Sequence, residues 1–185
     1  MRILPLGGAR EVGASSAVLE IAGARILIDA GIRVGSGSKK GPFPRFEMID
    51  EEPDTVLVTH AHTDHTGALP HVNDYIGDAL VHMTVPTLHL LEVLQRDAVR
   101  HSENSDGDDG RVGYTVEAVE EAVSRVVTHH YHRPFCPVPG RDDITVEYLP
   151  CGHILGAGML LIDSPEGRVL WTGDYSVVPQ PTIGG

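Results

Sequence analysis

Cysteine is nearly absent. Cys136 and Cys151 are too few for a disulfide framework and point to reduced thiols. Lysine is as scarce: only Lys39 and Lys40 contribute to 14 basic residues, against 26 acidic ones, for a formal net charge of -12. Such a balance argues against a protein that clamps nucleic acid by backbone electrostatics alone, because such domains usually carry a basic face. No apolar run approaches the roughly 18 residues of a membrane span. The apolar start at residues 1–8 is also too short for a secretory signal. A cytoplasmic protein with no membrane partner is expected. What is present is an ordinary globular composition, 41% hydrophobic and 22% charged, which excludes disorder and collagen. The length of 185 residues is one domain's worth. Glycine (21) and histidine (11) are the informative excesses, one for tight turns and the other for metal or proton chemistry.

Strands and helices come in groups. Residues 17–20 and 25–29 flank a turn at Ala22-Gly23, and the second of these strands runs into Asp29-Ala30-Gly31. Residues 35–44 read as a loop, and 55–59 as a buried strand ending on His60. Helices are predicted at 69–76, at 86–101 and at 116–123, the last with Thr115 as N-cap and acids in its first turn. The acidic stretch 102–113, with Asp106, Asp108 and Asp109, reads as an exposed loop. Strands return at 144–149, 159–162 and 169–172. This grouping predicts a layered α/β sandwich, not a simple alternating βαβ sheet.

The segment His60-Ala61-His62-Thr63-Asp64-His65 carries the chemistry. Two apart on an extended backbone, His60 and His62 share one side, so both imidazoles can reach one ion. Asp64 and His65 are adjacent on a tight turn and diverge toward a second ion. Four ligand-type residues in six positions suit a dinuclear site. Imidazole and carboxylate favour two Zn2+ ions, with Mn2+ or Fe also compatible.

This segment matches in full the His-x-His-x-Asp-His motif of the metallo-β-lactamase superfamily, which the sequence resembles. His153 in Gly152-His153-Ile154-Leu155-Gly156-Ala157 and Asp174 in Thr172-Gly173-Asp174-Tyr175-Ser176 resemble the beta-CASP branch. So do Leu6-Gly7-Gly8-Ala9-Arg10-Glu11-Val12-Gly13 and Asp64-His65-Thr66-Gly67-Ala68-Leu69-Pro70. That branch contains the endonuclease of messenger-RNA 3'-end processing. The resemblance implies an αββα sandwich, incomplete at its C-terminal end, with residues 1–185 as the N-terminal portion of the metallo-β-lactamase domain. It assigns His60, His62 and His153 to a first metal and Asp64 and His65 to a second, with Asp174 as the bridge. Asp29 would support the site through hydrogen bonds. The implied activity is phosphodiester hydrolysis of single-stranded RNA by a hydroxide activated between two metals, with Asp64 orienting the water or taking its proton.

Members of this branch usually continue after the Thr-Gly-Asp motif into an inserted beta-CASP domain, which brings a further metal-ligand histidine and a histidine thought to protonate the leaving group. No residue here matches those two. The expectation is therefore a nuclease portion, low in activity alone and completed by another domain or partner chain along an open sheet edge. A small thioesterase- or lactonase-type metallohydrolase and a non-catalytic metal-bound regulatory module are the alternatives. The remaining histidines have plainer readings: His129, His130 and His132 as cations after a helix, and His71, His82, His89 and His101 as isolated polar positions. Cys151 reads as a small buried residue. Arg33, Lys39, Lys40 and Arg45 form the one basic concentration, a candidate phosphate contact.

Overall fold

The computed structural model describes residues 1–33, 41–103, 113, 115–179 and 183–184. Six strands form one sheet in chain order: β1 (Arg2–Gly7), β2 (Ser16–Ile21), β3 (Ala24–Ile28), β4 (Thr55–Leu57), β5 (Leu80–Thr84) and β6 (Val126–His129). The first three pair antiparallel and β3 to β6 pair parallel. The parallel crossovers carry α1 (Thr63–Thr66), α2 (Leu69–Ile76), α3 (Val85–Glu103) and α4 (Val116–Ser124). A second sheet is the antiparallel meander β7 (Thr145–Pro150), β8 (Gly158–Ser164) and β9 (Gly167–Trp171).

Alternation along the strands divides the core in two. Val18, Leu27, Val56, Val81 and Met83 join Leu69, Val72 and Ile76 of α2 and Leu91 of α3. The intervening Leu19, Ile26, Ile28 and Leu57 pack against Val146, Tyr148, Leu160 and Ile162 of the smaller sheet. The described residues thus supply three layers of an αββα sandwich: helices, large sheet, small sheet. Each fully buried Leu or Ile on these faces contributes about 1.5–3 kcal/mol over an exposed one. Fully buried Tyr148 stitches the two sheets, its hydroxyl lying 2.7 Å from the His82 carbonyl and 3.1 Å from that of Val58.

The predicted hairpin, the helix at residues 69–76 and the Thr115 cap are all present; the Thr115 hydroxyl accepts from the Ala118 amide at 3.2 Å. Other expectations are corrected. β4 stops at Leu57, because the chain must leave the ladder to turn into the histidine motif. β1, β5 and β6 do not emerge from the sequence pattern. His129 ends β6; it does not follow a helix, because α4 stops at Ser124 and a strand intervenes. Residues 102 and 103 belong to α3, and most of the acidic stretch lies outside the described residues. Among the described residues, no helix is long and apolar enough to cross a membrane.

Parallel pairing decides where the chemistry gathers. β3 and β4 end side by side, so Asp29 and the motif that starts at His60 leave the sheet as neighbours. In the smaller sheet β7 and β9 run the same way, which puts the loop holding His153 and the turn holding Asp174 at one end.

Candidate metal centre

The motif folds as a short extended piece, His60 to His62, followed by the single turn α1, which carries Asp64 and His65. The segment after β3 grips that turn through backbone bonds, Ala30 N–H to His65 O at 2.8 Å and Ile32 N–H to Thr63 O at 3.1 Å, and the residue before β2 adds Ser15 N–H to Asp64 O at 2.9 Å. Contact is so close at Gly31 that a Cβ there would lie 1.6 Å from the Asp64 carbonyl oxygen. Any side chain at residue 31 would push the motif away.

Four donor atoms, one each from His60, His62, His153 and Asp174, lie within 4.8 Å of one another and could hold a metal ion. His62 Nδ1 stands 3.1 Å from His60 Nε2 and 3.0 Å from His153 Nε2. One ring nitrogen offers either a single N–H or a single in-plane lone pair, so it cannot make a full hydrogen bond to both neighbours. Donors about 2.0–2.1 Å from one tetrahedral zinc ion are separated by about 3.3 Å, close to these spacings. The residues therefore fit a divalent cation.

Asp64 and His65 stand beside this cluster, outside the four-donor group. His65 Nε2 is 3.6 Å from Asp174 Oδ1 and 4.0 Å from Asp64 Oδ2, while Asp174 Oδ2 is 3.7 Å from His153 Nε2. Asp174, half-exposed, thus turns one oxygen to each side. A cleft of ≈ 460 Å3, bordered by Ser15, Ser16, Asp29, His65, Trp171 and Asp174, opens on the His65 side.

Buried Asp29 organises both sides. Its carboxylate accepts the Thr59 amide at 2.8 Å, the Thr59 hydroxyl at 2.9 Å and His65 Nδ1–H at 2.8 Å. With its proton given to Asp29, the Thr59 hydroxyl accepts from His60 Nδ1–H at 3.0 Å. One carboxylate therefore fixes the tautomers of two histidines and leaves the Nε2 lone pair of each directed outward. Burial, followed by the neighbouring imidazoles of His65, His62 and His153, depresses the His60 pKa to about 2, so the ring is neutral and able to ligate. For His65 burial works the other way from its partners; the Asp29, Asp64 and Asp174 carboxylates outweigh it and the pKa is raised. Asp29 also keeps a positive φ of 59°, a conformation Asp tolerates better than most residues and one that turns the chain under the motif.

The structure brings together every site residue proposed from the sequence: Asp29, His60, His62, Asp64, His65, His153 and Asp174. Sequence reasoning missed Thr59, whose signal was a hydroxyl between a strand and the first histidine. The basic concentration is corrected in part. Arg33 is turned inward, its guanidinium bonded to Glu11 at 2.8 Å and to the Gly41 and Phe43 carbonyls, so it is not offered to a phosphate. Lys39 and Lys40 lie outside the described residues, and Arg45 is exposed.

Among known proteins, the metallo-beta-lactamase superfamily domain matches residues 18–177. Integrator complex subunit 11 of Danio rerio is 29% identical over all of this chain, which covers 31% of that protein. Transcription termination factor FttA of Methanothermobacter thermautotrophicus is 32% identical over 94% of the chain and 27% of its own length. The chain thus spans under a third of these relatives. A solved structure from Enterococcus faecalis V583, a protein of unknown function, superposes with TM-score 0.63 at 17% identity, over 95% of this chain and 43% of that one. A Cronobacter sakazakii metallo-beta-lactamase superposes with TM-score 0.53 at 16% identity, over 92% and 56%. These two share the fold. With the family domain matched over most of its length, the chain belongs to the metallo-beta-lactamase superfamily, and its relatives bear out the beta-CASP resemblance read from its motifs.

Proposed function

We propose that this chain carries the metal centre of a cytoplasmic hydrolase that cleaves phosphodiester bonds in single-stranded RNA. The divided carboxylate of Asp174 carries this reading, with one oxygen toward His153 and the other toward His65. With that carboxylate between them, His60, His62 and His153 would hold one ion and Asp64 and His65 a second. The donor set favours zinc, with manganese or iron compatible. A pair of divalent ions supplies Lewis acidity toward a phosphoryl oxygen and acidifies a bound water toward neutral pH.

The protein's own residues divide the work. Asp29 and Thr59 keep the His60 and His65 lone pairs directed at the centre. Asp64, its side chain 25% exposed, is accessible to take the proton of the attacking water. On a chain of net charge -12 the cation pair is the principal attraction for phosphate. Similarity to a transcription termination factor and an Integrator subunit favours a nucleic-acid substrate over a thioester or lactone. Among the described residues the His65 side offers only Asp64, His65 and one Asp174 oxygen, so we infer that a further segment or partner chain completes it.

The test offers single-stranded RNA, a thioester and a lactone to the zinc-loaded chain. Each assay is run alone and with the segment that follows the matched region in the archaeal relative. RNA cleavage, strongest with that segment present, is expected, and Asp64→Ala should reduce it by about a hundredfold or more. Intact RNA under both conditions, or an Asp64→Ala chain that cleaves as fast as its parent, contradicts the reading.

A further inference from the structure

The loop from Gly152 to Ala157 that presents His153 has no strand or helix of its own. Its position is set at Gly156, which sits with φ +85° over the junction of β5 and α3. The Gly156 carbonyl receives the Thr84 hydroxyl at 2.6 Å and the Thr87 hydroxyl at 3.0 Å. Both threonines are buried, at 1% and 0% exposure, and their hydroxyl oxygens are 2.9 Å apart. Two hydroxyl protons serve three contacts. Either both protons go to the carbonyl, or one threonine donates to the other, which donates on; in each case the carbonyl is held in a dry site where an unmade bond is costly.

We propose that Thr84 and Thr87 are positioning residues for His153, coupling the end of β5 to the metal centre through the Gly156 carbonyl. The proposal rests on reading His153 as a metal ligand. Contact at the clamp leaves no slack: a Cβ on residue 156 would lie 2.6 Å from the Thr87 amide nitrogen and 2.7 Å from its hydroxyl. The loop's other ties stand on either side of this point. Tyr131 donates to the Ala157 carbonyl at 2.9 Å, Gly158 N–H to Thr59 O at 2.9 Å, and Ser176 N–H to Cys151 O at 2.9 Å. The threonines tie this loop to the end of β5 and the first turn of α3. They fix the height of the loop above the strand ends, and therefore the His153 to His62 spacing. Thr84 is also engaged elsewhere, since its hydroxyl oxygen accepts the Thr87 amide at 3.4 Å and so caps the first turn of α3. Thr87 is thus the cleaner residue to alter.

The experiment titrates the whole chain with cobalt(II) against a competing chelator, follows the cobalt d–d absorption, and measures amide hydrogen exchange of Ala157 and Gly158 in metal-free protein. Thr87→Val should weaken the tighter cobalt ion about tenfold or more, as loss of an outer partner does. It should also alter the band shape and speed exchange at Ala157 and Gly158. Thr87→Ser, which restores the hydroxyl, should recover all three. Should the valine chain not fold, Thr87→Ala, which removes the hydroxyl without placing a methyl against the carbonyl, decides. A Thr87→Val or Thr87→Ala chain with parental affinity, spectrum and exchange overturns the proposal, as does a serine variant that behaves like valine. A parent chain that binds no cobalt overturns the metal centre and this proposal together, a result plainly different from a variant that binds as its parent does.

Discussion

Two groups of histidines lie near each other in the fold, one beyond the end of β4 and one on β5 and β6, and their surroundings suit them to opposite uses. His60 and His62 after β4 and His153 from the loop between β7 and β8 turn ring nitrogens toward one another across 3.0–3.1 Å, with Asp174 alongside and Asp29 behind. On β5 and β6, His82 Nδ1 meets His129 Nε2 at 2.8 Å, and the pair is packed among aromatic rings. Phe135 stacks on His129 with centroids 3.4 Å apart and on His82 at 5.2 Å, and Tyr148 continues the stack. In the second pair one shared proton satisfies the contact between the two rings. Among the described residues no carboxylate is bonded to it, and it forms no third donor for an ion. Clustering alone therefore does not make a histidine a ligand. What suits one to the role is a lone pair that the protein leaves facing others, as on His60, whose opposite ring nitrogen is held by Thr59 and, behind it, by the buried Asp29 carboxylate.

The contrast can be tested from its strongest consequence downward. Replacing His153 by alanine removes a donor from the nitrogen cluster and should weaken the tighter ion beyond the roughly 100-fold limit of an outer partner, as read by chelator competition. Asp29→Asn acts one step back. Its amide group would set a donor against His65 Nδ1–H or the Thr59 donors, so affinity should fall about 10- to 100-fold while the ligands themselves remain. If Asp29→Asn binds metal as the parent does, the carboxylate is not what distinguishes the two histidine groups.

The aromatic pair should show itself in stability, not in metal binding. Burial depresses both His82 and His129 to about 4, the first helped by His129 and the second by His130. Folded values below the ordinary 6.5 mean that the unfolded chain binds more protons, so the stabilisation is full above pH 6.5 and is lost as pH falls toward about 4. Thermal midpoints of parent and His129→Phe, measured across that window, should converge as pH falls, because the variant has one fewer imidazole to protonate. A parent-to-variant difference that stays constant from pH 7 to pH 4 would contradict the depressed values. The smallest effect expected is none: His129→Phe should leave zinc stoichiometry and affinity unchanged, and a lost ion would erase the distinction between the two groups.

Much of the candidate metal centre was legible because its residues sit in short local signatures. His60 to His65 lie within six positions at the end of an apolar strand, and Asp29, His153 and Asp174 each stand by a glycine near a strand end. The order of donors along the chain needed only the family resemblance. What escaped depends on distant contacts. β6 is four residues long directly after a helix, too short for a period to emerge, so His129 looked like a helix-terminal cation. Its partner His82 lies 47 positions away, and no local pattern predicts that bond. Thr59 and the threonine clamp on Gly156 were hidden for the same reason: single hydroxyls among β-branched residues read as strand formers until the fold brings their acceptors to them. Arg33 failed as a phosphate contact because Glu11 and two carbonyls use its guanidinium first.

Anomalous diffraction from crystals of the zinc-loaded chain tests the central claim most directly. The account predicts two peaks, one against His60, His62 and His153 and the other against Asp64 and His65, with the two oxygens of Asp174 divided between them. A single peak with Asp64 and His65 unengaged, or an ion seated between His82 and His129, would contradict it.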